Sequence, residues 1–91
     1  IESFHCKETK RLFSGICPRQ FRQIRSQAER KLIMLHSAAS IEFLKSPPGN
    51  QLEKLTGDRR DYWSIRINRQ WRMCFRYEGG DAFDVEIVDY H

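Results

Sequence analysis

The sequence has little of what most covalent or metal chemistries need. Its three cysteines, Cys6, Cys17 and Cys74, are odd in number, widely spaced and form no Cys-x-x-Cys pair. That excludes a disulfide framework and points to reduced, partly buried thiols. A zinc site from His5, Cys6 and Cys17 fits no usual ligand spacing. There is no glycine-rich phosphate loop, no Ser-His-Asp pattern and no carboxylate cluster, so neither a metal nor a cofactor is expected. No apolar run approaches the roughly 18 residues of a membrane span, and no signal-peptide pattern opens the chain. A cytoplasmic protein without membrane contact is therefore expected. The chain opens on Ile1 rather than Met, so starting residues are expected to precede it. Internal repeats and low-complexity tracts are also absent.

What remains is a small, basic, well-patterned chain. Ninety-one residues suit one domain spanning 1–91, because a second core would not fit. A hydrophobic fraction of 40% with 12% aromatics is too high for a disordered chain despite 31% charged residues. The net charge of +4 comes from 16 basic against 12 acidic residues, and 11 of the basic ones are arginine. Arginine's planar fork matches phosphate better than lysine's point charge, so a polyanion partner fits.

Periodicity divides the chain. Ile1–Phe4 alternates as an edge strand does, and from Lys7 the period changes until Ser14-Gly15 breaks it. Phe21, Ile24, Ala28, Leu32 and Leu35 recur at three- and four-residue spacing, which predicts an amphipathic helix over 18–36 with Pro18 in its first turn. A second helix is predicted over 38–44, with Ile41 and Leu44 inward. It is ended by Ser46-Pro47-Pro48-Gly49-Asn50. Leu52 and Leu55 anchor a connecting segment.

After Asp61 the period is two. Trp63, Ile65 and Ile67 on one strand face Phe75, Met73 and Trp71 on the next if Asn68-Arg69-Gln70 is a three-residue loop. This register keeps every large apolar residue on one face. Around Gly79-Gly80 a two-residue loop would set Phe75 opposite Asp84 and place charge in the core. A three-residue loop of Gly79–Asp81 instead pairs Tyr77 with Phe83, Phe75 with Val85 and Met73 with Ile87, and it sets Arg76 beside Asp84. The predicted fold class is α+β: a three-stranded antiparallel meander plus the N-terminal edge strand, with two to three helices on one face.

The opposite face carries the chemistry. Arg66 stands opposite Arg72, a like-charge pair that a nearby carboxylate or bound anion would relieve. Tyr62, Glu86 and Tyr90 join them, a composition suited to phosphate contacts and base stacking. The chain ends on Asp89-Tyr90-His91, a carboxylate, a phenol and an imidazole. RNA cleavage through the neighbouring 2′-hydroxyl needs a base, a cation at the phosphate and an acid for the leaving 5′-oxygen. Arg72 suits the cation role and His91 the proton carrier, since an imidazole titrates near neutrality. Asp89 alternates inward, suited to orienting a neighbour or capping the core edge. His5 and His36 lie in the helical half without acidic or nucleophilic company, and both read as surface or packing residues.

Ser46-Pro47-Pro48-Gly49-Asn50-Gln51-Leu52-Glu53-Lys54-Leu55 followed by Gly57-Asp58-Arg59 resembles the killer proteins of the HigB type. So do Ser64-Ile65-Arg66-Ile67-Asn68, Gln70-Trp71-Arg72, Cys74-Phe75, Val85-Glu86-Ile87-Val88 and Asp89-Tyr90-His91. These are toxins of bacterial toxin–antitoxin pairs in the RelE/ParE superfamily. The resemblance implies a ribosome-dependent, metal-independent messenger-RNA endonuclease held in check by an antitoxin that often carries a helix-turn-helix domain. Operator DNA would be reached only through that antitoxin. The resemblance gives catalytic weight to Arg72, Asp89, Tyr90 and His91, and RNA contacts are expected at Lys54, Arg59, Arg66 and Arg76. In some active relatives a histidine and a lysine precede the Gly-Asp-Arg element. Here Leu55-Thr56 stands there with only Lys54 nearby, so no general base carries over.

Two other readings compete. One is a non-catalytic toxin on the same fold, a gyrase poison or ribosome-assembly inhibitor. The other is a harmless RNA- or DNA-binding module.

Overall fold

A strand whose side chains alternate between apolar and polar buries one face and leaves the other to solvent. The second half of the chain follows that rule. The computed structural model describes residues 1–46 and 48–90. It contains a four-stranded antiparallel sheet in which β1 (Glu53–Lys54), β2 (Tyr62–Arg66), β3 (Trp71–Glu78) and β4 (Asp81–Asp89) lie side by side in chain order. Between β2 and β3 the partners are Trp63 with Phe75, Ile65 with Met73 and Arg66 with Arg72, as the alternation requires. The Ile67 N–H donates to the Trp71 carbonyl at 2.9 Å and closes the three-residue loop. Asn68 Oδ1 accepts the Gln70 and Trp71 N–H groups at 2.8 and 2.9 Å, a side chain standing in for a backbone turn acceptor.

The β3–β4 hairpin departs from expectation. Its loop is two residues, Gly79-Gly80, at φ 58° and 84°, the conformation that a tight twisted hairpin demands and glycine permits. Tyr77 consequently faces Ala82 and Arg76 faces Phe83. The parity argument assumed an unbroken ladder, but the register shifts between Cys74 and Arg76. β4 contributes an extra residue there, so Met73 still meets Ile87 and Ala82 rather than Phe83 enters the core. Asp84 takes the bulge in the left-handed region, φ 53°. Its N–H donates to Ser3 Oγ at 2.8 Å, and its carboxylate accepts Arg76 Nε at 2.9 Å and the Tyr62 hydroxyl at 3.4 Å. The Arg76 guanidinium holds that carboxyl below its usual range, helped by the Ser3 and Tyr62 hydroxyls. The expected Arg76–Asp84 pair thus forms through the bulge and not by direct register.

The fourth strand also comes from another place. Glu53 pairs with Ser64 and Lys54 with Trp63, whereas the N-terminal segment is reduced to one parallel bridge, Phe4 with Val85, along the outer edge of β4.

Helices α1 (Lys7–Phe13), α2 (Arg25–Ser37) and α3 (Ile41–Lys45) cover the apolar face, with a 3₁₀ segment over Arg19–Ile24. The helix expected over 18–36 therefore changes type at Ile24. Phe21 and Ile24, three apart and both buried, suit three residues per turn, and Ala28, Leu32 and Leu35 continue at the α period. The helix expected over 38–44 starts at Ile41 because Ala38 and Ser40 are extended. It ends at Lys45; Pro47 of the proline pair expected to stop it lies outside the described residues. The core is Leu12, Phe21, Ala28, Leu32 and Leu35 from the helical layer against Ile65, Met73, Phe75 and Val85 from the sheet. Each large apolar side chain so buried contributes about 1.5–3 kcal/mol.

Candidate nucleic-acid interface

Alternation leaves the outer sheet face to solvent, yet Ser64 and Cys74 on that face are fully buried and Arg72 is 8% exposed. The connector between α3 and β2 supplies the cover, and one buried side chain fixes how it lies. Asn50 donates to the Leu44 carbonyl and to Met34 Sδ, each at 3.1 Å, and accepts from Lys31 Nζ. Burial pushes the Lys31 ammonium below its usual range, with Arg30 adding to the effect. Anchored this way, the chain enters Gln51 at φ 42°, a left-handed conformation that costs a non-glycine residue about 1–2 kcal/mol.

The Gln51 carbonyl accepts Arg72 Nη2 at 2.6 Å. Arg72 Nε donates to Ser64 Oγ at 2.9 Å, and Nη2 reaches the Ser64 carbonyl at 3.3 Å. The guanidinium plane is thereby fixed, and because these acceptors are neutral its charge is not cancelled. The Tyr90 N–H donates to the Gln70 carbonyl, which extends β4 past the β2–β3 loop. Its ring then lies 6.0 Å from the Arg72 guanidinium carbon.

Around these groups opens a cleft of about 420 Å³ lined by Gln51, Glu53, Arg66, Asn68, Arg69, Arg72 and Tyr90. Three guanidinium groups face one carboxylate, so the concavity favours an anion. Binding one would also relieve the Arg66–Arg72 repulsion across β2 and β3. A phosphodiester with an adjacent base fits this chemistry, the phosphate on the arginines and the base on Tyr90, which is 43% exposed.

Of the residues singled out from sequence, the cleft brings together Arg66, Arg72 and Tyr90. His91 follows Tyr90 and lies outside the described residues. Asp89 pairs with Trp71 across the strands, accepts Gln70 Nε2 at 3.0 Å and does not line the cleft. Arg59 sits further along the outer face, 3.6 Å from the Glu86 carboxylate and over the Tyr62 ring at 4.7 Å. Lys54 lies over Trp63 and, with Arg76, lines a separate depression of about 320 Å³.

The sequence reading missed Gln51, Glu53, Asn68 and Arg69 as cleft residues. Only the turn pattern of Asn68-Arg69-Gln70 hinted that two of them would sit beside Arg66. Beneath the arginines, burial pushes the Cys74 thiol up. Arg59, Arg72 and a hydrogen bond with Tyr90 act the other way. No group of three or more His, Cys, Asp or Glu among the described residues is arranged to hold a metal ion. No helix among them is long and apolar enough to cross a membrane.

Comparison with known proteins agrees with this architecture. Residues 2–91 match the family described as the RelE-like toxin of the type II toxin–antitoxin system HigB. A curated relative from Proteus vulgaris, named Endoribonuclease HigB, is 44% identical over 41 residues, covering 45% of each chain. Toxin HigB-1 of Vibrio cholerae is 40% identical over 58 residues, 64% of this chain and 61% of that protein. The chain thus spans about half the length of the curated relatives it matches. A solved structure described as the YoeB/ParE toxin from Agrobacterium tumefaciens is similar with a TM-score of 0.50. The match covers 100% of this chain and 99% of that one at 19% identity, a likeness of fold.

Proposed function

We propose, for a chain that belongs to the family of RelE-like HigB toxins of type II toxin–antitoxin systems, the activity of a messenger-RNA endonuclease that acts on the ribosome and is neutralised by a cognate antitoxin. The observation that carries this reading is the cleft in which Arg66, Arg69 and Arg72 converge beside Tyr90. The name of the Proteus vulgaris relative, Endoribonuclease HigB, supports the same reaction.

In this reading Arg72 and Arg66 hold the scissile phosphate and take up charge as it develops on the phosphoryl oxygens. Glu53, the carboxylate lining the cleft, accepts the 2′-hydroxyl proton. The 2′-oxygen bonds to phosphorus, the bond to the 5′-oxygen breaks, and His91 or Tyr90 delivers a proton to that leaving oxygen. Such an acid–base set is weak alone. The ribosome supplies the geometry by holding the messenger in line, a contribution that can exceed that of the proton-transfer groups. The antitoxin is proposed to carry a helix-turn-helix domain and to link the pair to operator DNA in the cytoplasm.

A translating cell-free extract tests the proposal. The purified chain is expected to fragment a reporter messenger while translation runs and to leave it whole when initiation is blocked. A gyrase poison or an assembly inhibitor would leave transcripts whole in both arms, and that result would overturn the nuclease reading.

A further inference from the structure

Helix α2 carries a second stripe beside the one it buries. Its core face is Ala28, Leu32 and Leu35, and Gln27, Arg30, Lys31 and Met34 recur next to it at three- and four-residue spacing. With Ile67, which follows β2, these four residues line a depression of about 310 Å³. Among the described residues, Arg30 and Lys31 are the charged groups of that lining, and no carboxylate pairs with either. Lys31 gives one of its three N–H donors to Asn50. That acceptor is neutral, so two positive charges stand side by side uncompensated. Burial and the Arg30 charge hold the Lys31 ammonium below its usual range, the state of a cation pair that an anion would stabilise.

Two pairs of consecutive residues join this depression to the RNA cleft. Ile67 lines the depression, while its neighbours Arg66 and Asn68 line the cleft. Asn50 holds Lys31, and Gln51 lines the cleft. A strand with its phosphate on Arg66 and Arg72 therefore meets Arg30 and Lys31 where it leaves the cleft past the β2–β3 loop. Resting on the nuclease reading above, we propose that the Arg30–Lys31 depression is a second phosphate subsite for the messenger, holding the backbone of a nucleotide that flanks the cut. The Arg30 guanidinium offers phosphate a planar fork, and Lys31 adds its remaining donors. Met34 and Ile67 give the sugar an apolar surface to pack on. An acidic peptide would meet the same charges, but continuity with the cleft favours a strand already bound there. Contacts away from the reacting phosphate hold substrate and transition state alike, so the subsite lowers KM without raising kcat.

The test measures binding to ribosomes whose messenger carries a 2′-deoxy sugar at the mapped cut site, and single-turnover cleavage of the unmodified messenger. The variants are Arg30→Gln, Gln27→Glu and Gln27→Lys. Both positions are exposed and every replacement is a good helix former, so the fold is preserved; Lys31 is left in place because it also holds Asn50. Arg30→Gln is expected to weaken binding about 5-fold and to flatten the slope of log affinity against log salt by about 0.7–1. Its cleavage rate at saturating toxin should equal that of the wild type. Gln27→Glu, which sets a carboxylate beside the cations, should weaken binding to a similar degree, and Gln27→Lys should tighten it about 3-fold with a steeper slope. On ribosomes without messenger all three should bind as the wild type does. Unchanged affinity and slope for both Arg30→Gln and Gln27→Glu on programmed ribosomes would overturn the subsite while leaving the nuclease reading intact. Equal losses with and without messenger would assign the depression to ribosomal RNA, and the inference would fall in that case too. A wild-type chain that cuts no messenger would remove the nuclease reading itself and the subsite with it.

Discussion

Replacing Arg72 with lysine is expected to slow messenger cleavage about 100-fold or more while leaving the domain folded. The charge survives this substitution, but the fork does not. Arg72 is held by Ser64 through Nε and by Gln51 and Ser64 carbonyls through Nη2, which leaves Nη1 aimed by a fixed plane. A lysine ammonium has one nitrogen on a flexible stem, and it can either satisfy Ser64 or reach a phosphate. Losing one preorganised donor at a developing oxyanion costs about 10²–10³ in rate. Lysine is preferred to alanine because alanine would strand the fully buried Ser64 hydroxyl and mix a stability loss into the activity. Single-turnover cleavage on programmed ribosomes, with a thermal melt on the same sample, separates the two. A folded variant cutting at the wild-type rate would remove Arg72 from the reaction.

The second large effect is expected on stability. Asn50→Ala should destabilise the fold by about 2–4 kcal/mol, because it leaves the Leu44 carbonyl without its side-chain donor and the half-buried Lys31 ammonium without its acceptor. For a domain of this size that corresponds to a melting point lower by roughly 10–25 °C. Asn50→Asp restores an acceptor for Lys31 but cannot donate to Leu44, so it should fall between alanine and wild type. The loss should also reach the site, since Asn50 fixes the entry into Gln51 and Gln51 positions Arg72. A thermal scan placing Asn50→Ala within about 2 °C of wild type would refute this role.

The long strands were legible because their side chains impose a two-residue period. Trp63, Ile65, Met73 and Phe75 permit one register between β2 and β3, and that register is the one observed. The same logic failed at the next hairpin. Parity counting has no room for an extra residue, and Asp84 inserts one where a short polar side chain tolerates the left-handed backbone. β1 escaped notice since two residues, Glu53–Lys54, have no period to detect.

The candidate site divided along the same line. Arg66, Arg72 and Tyr90 could be placed on one face by alternation alone. Gln51 and Glu53 could not, because they reach the cleft through the connector's path, which Asn50 sets by contacts far away in sequence. That Arg72 would be buried was likewise invisible, for a strand pattern assigns faces without saying what covers them.

The chemical ends left on the cut messenger test the central claim most directly. Attack by the 2′-hydroxyl in the arginine cleft leaves a 2′,3′-cyclic phosphate upstream and a 5′-hydroxyl downstream, and both should form undiminished in the presence of a chelator that spares ribosomal magnesium. A messenger carrying a single 2′-deoxy sugar at the mapped cut site should resist cleavage there. Fragments bearing 5′-phosphates, or full cutting of the deoxy-substituted messenger, would contradict the account.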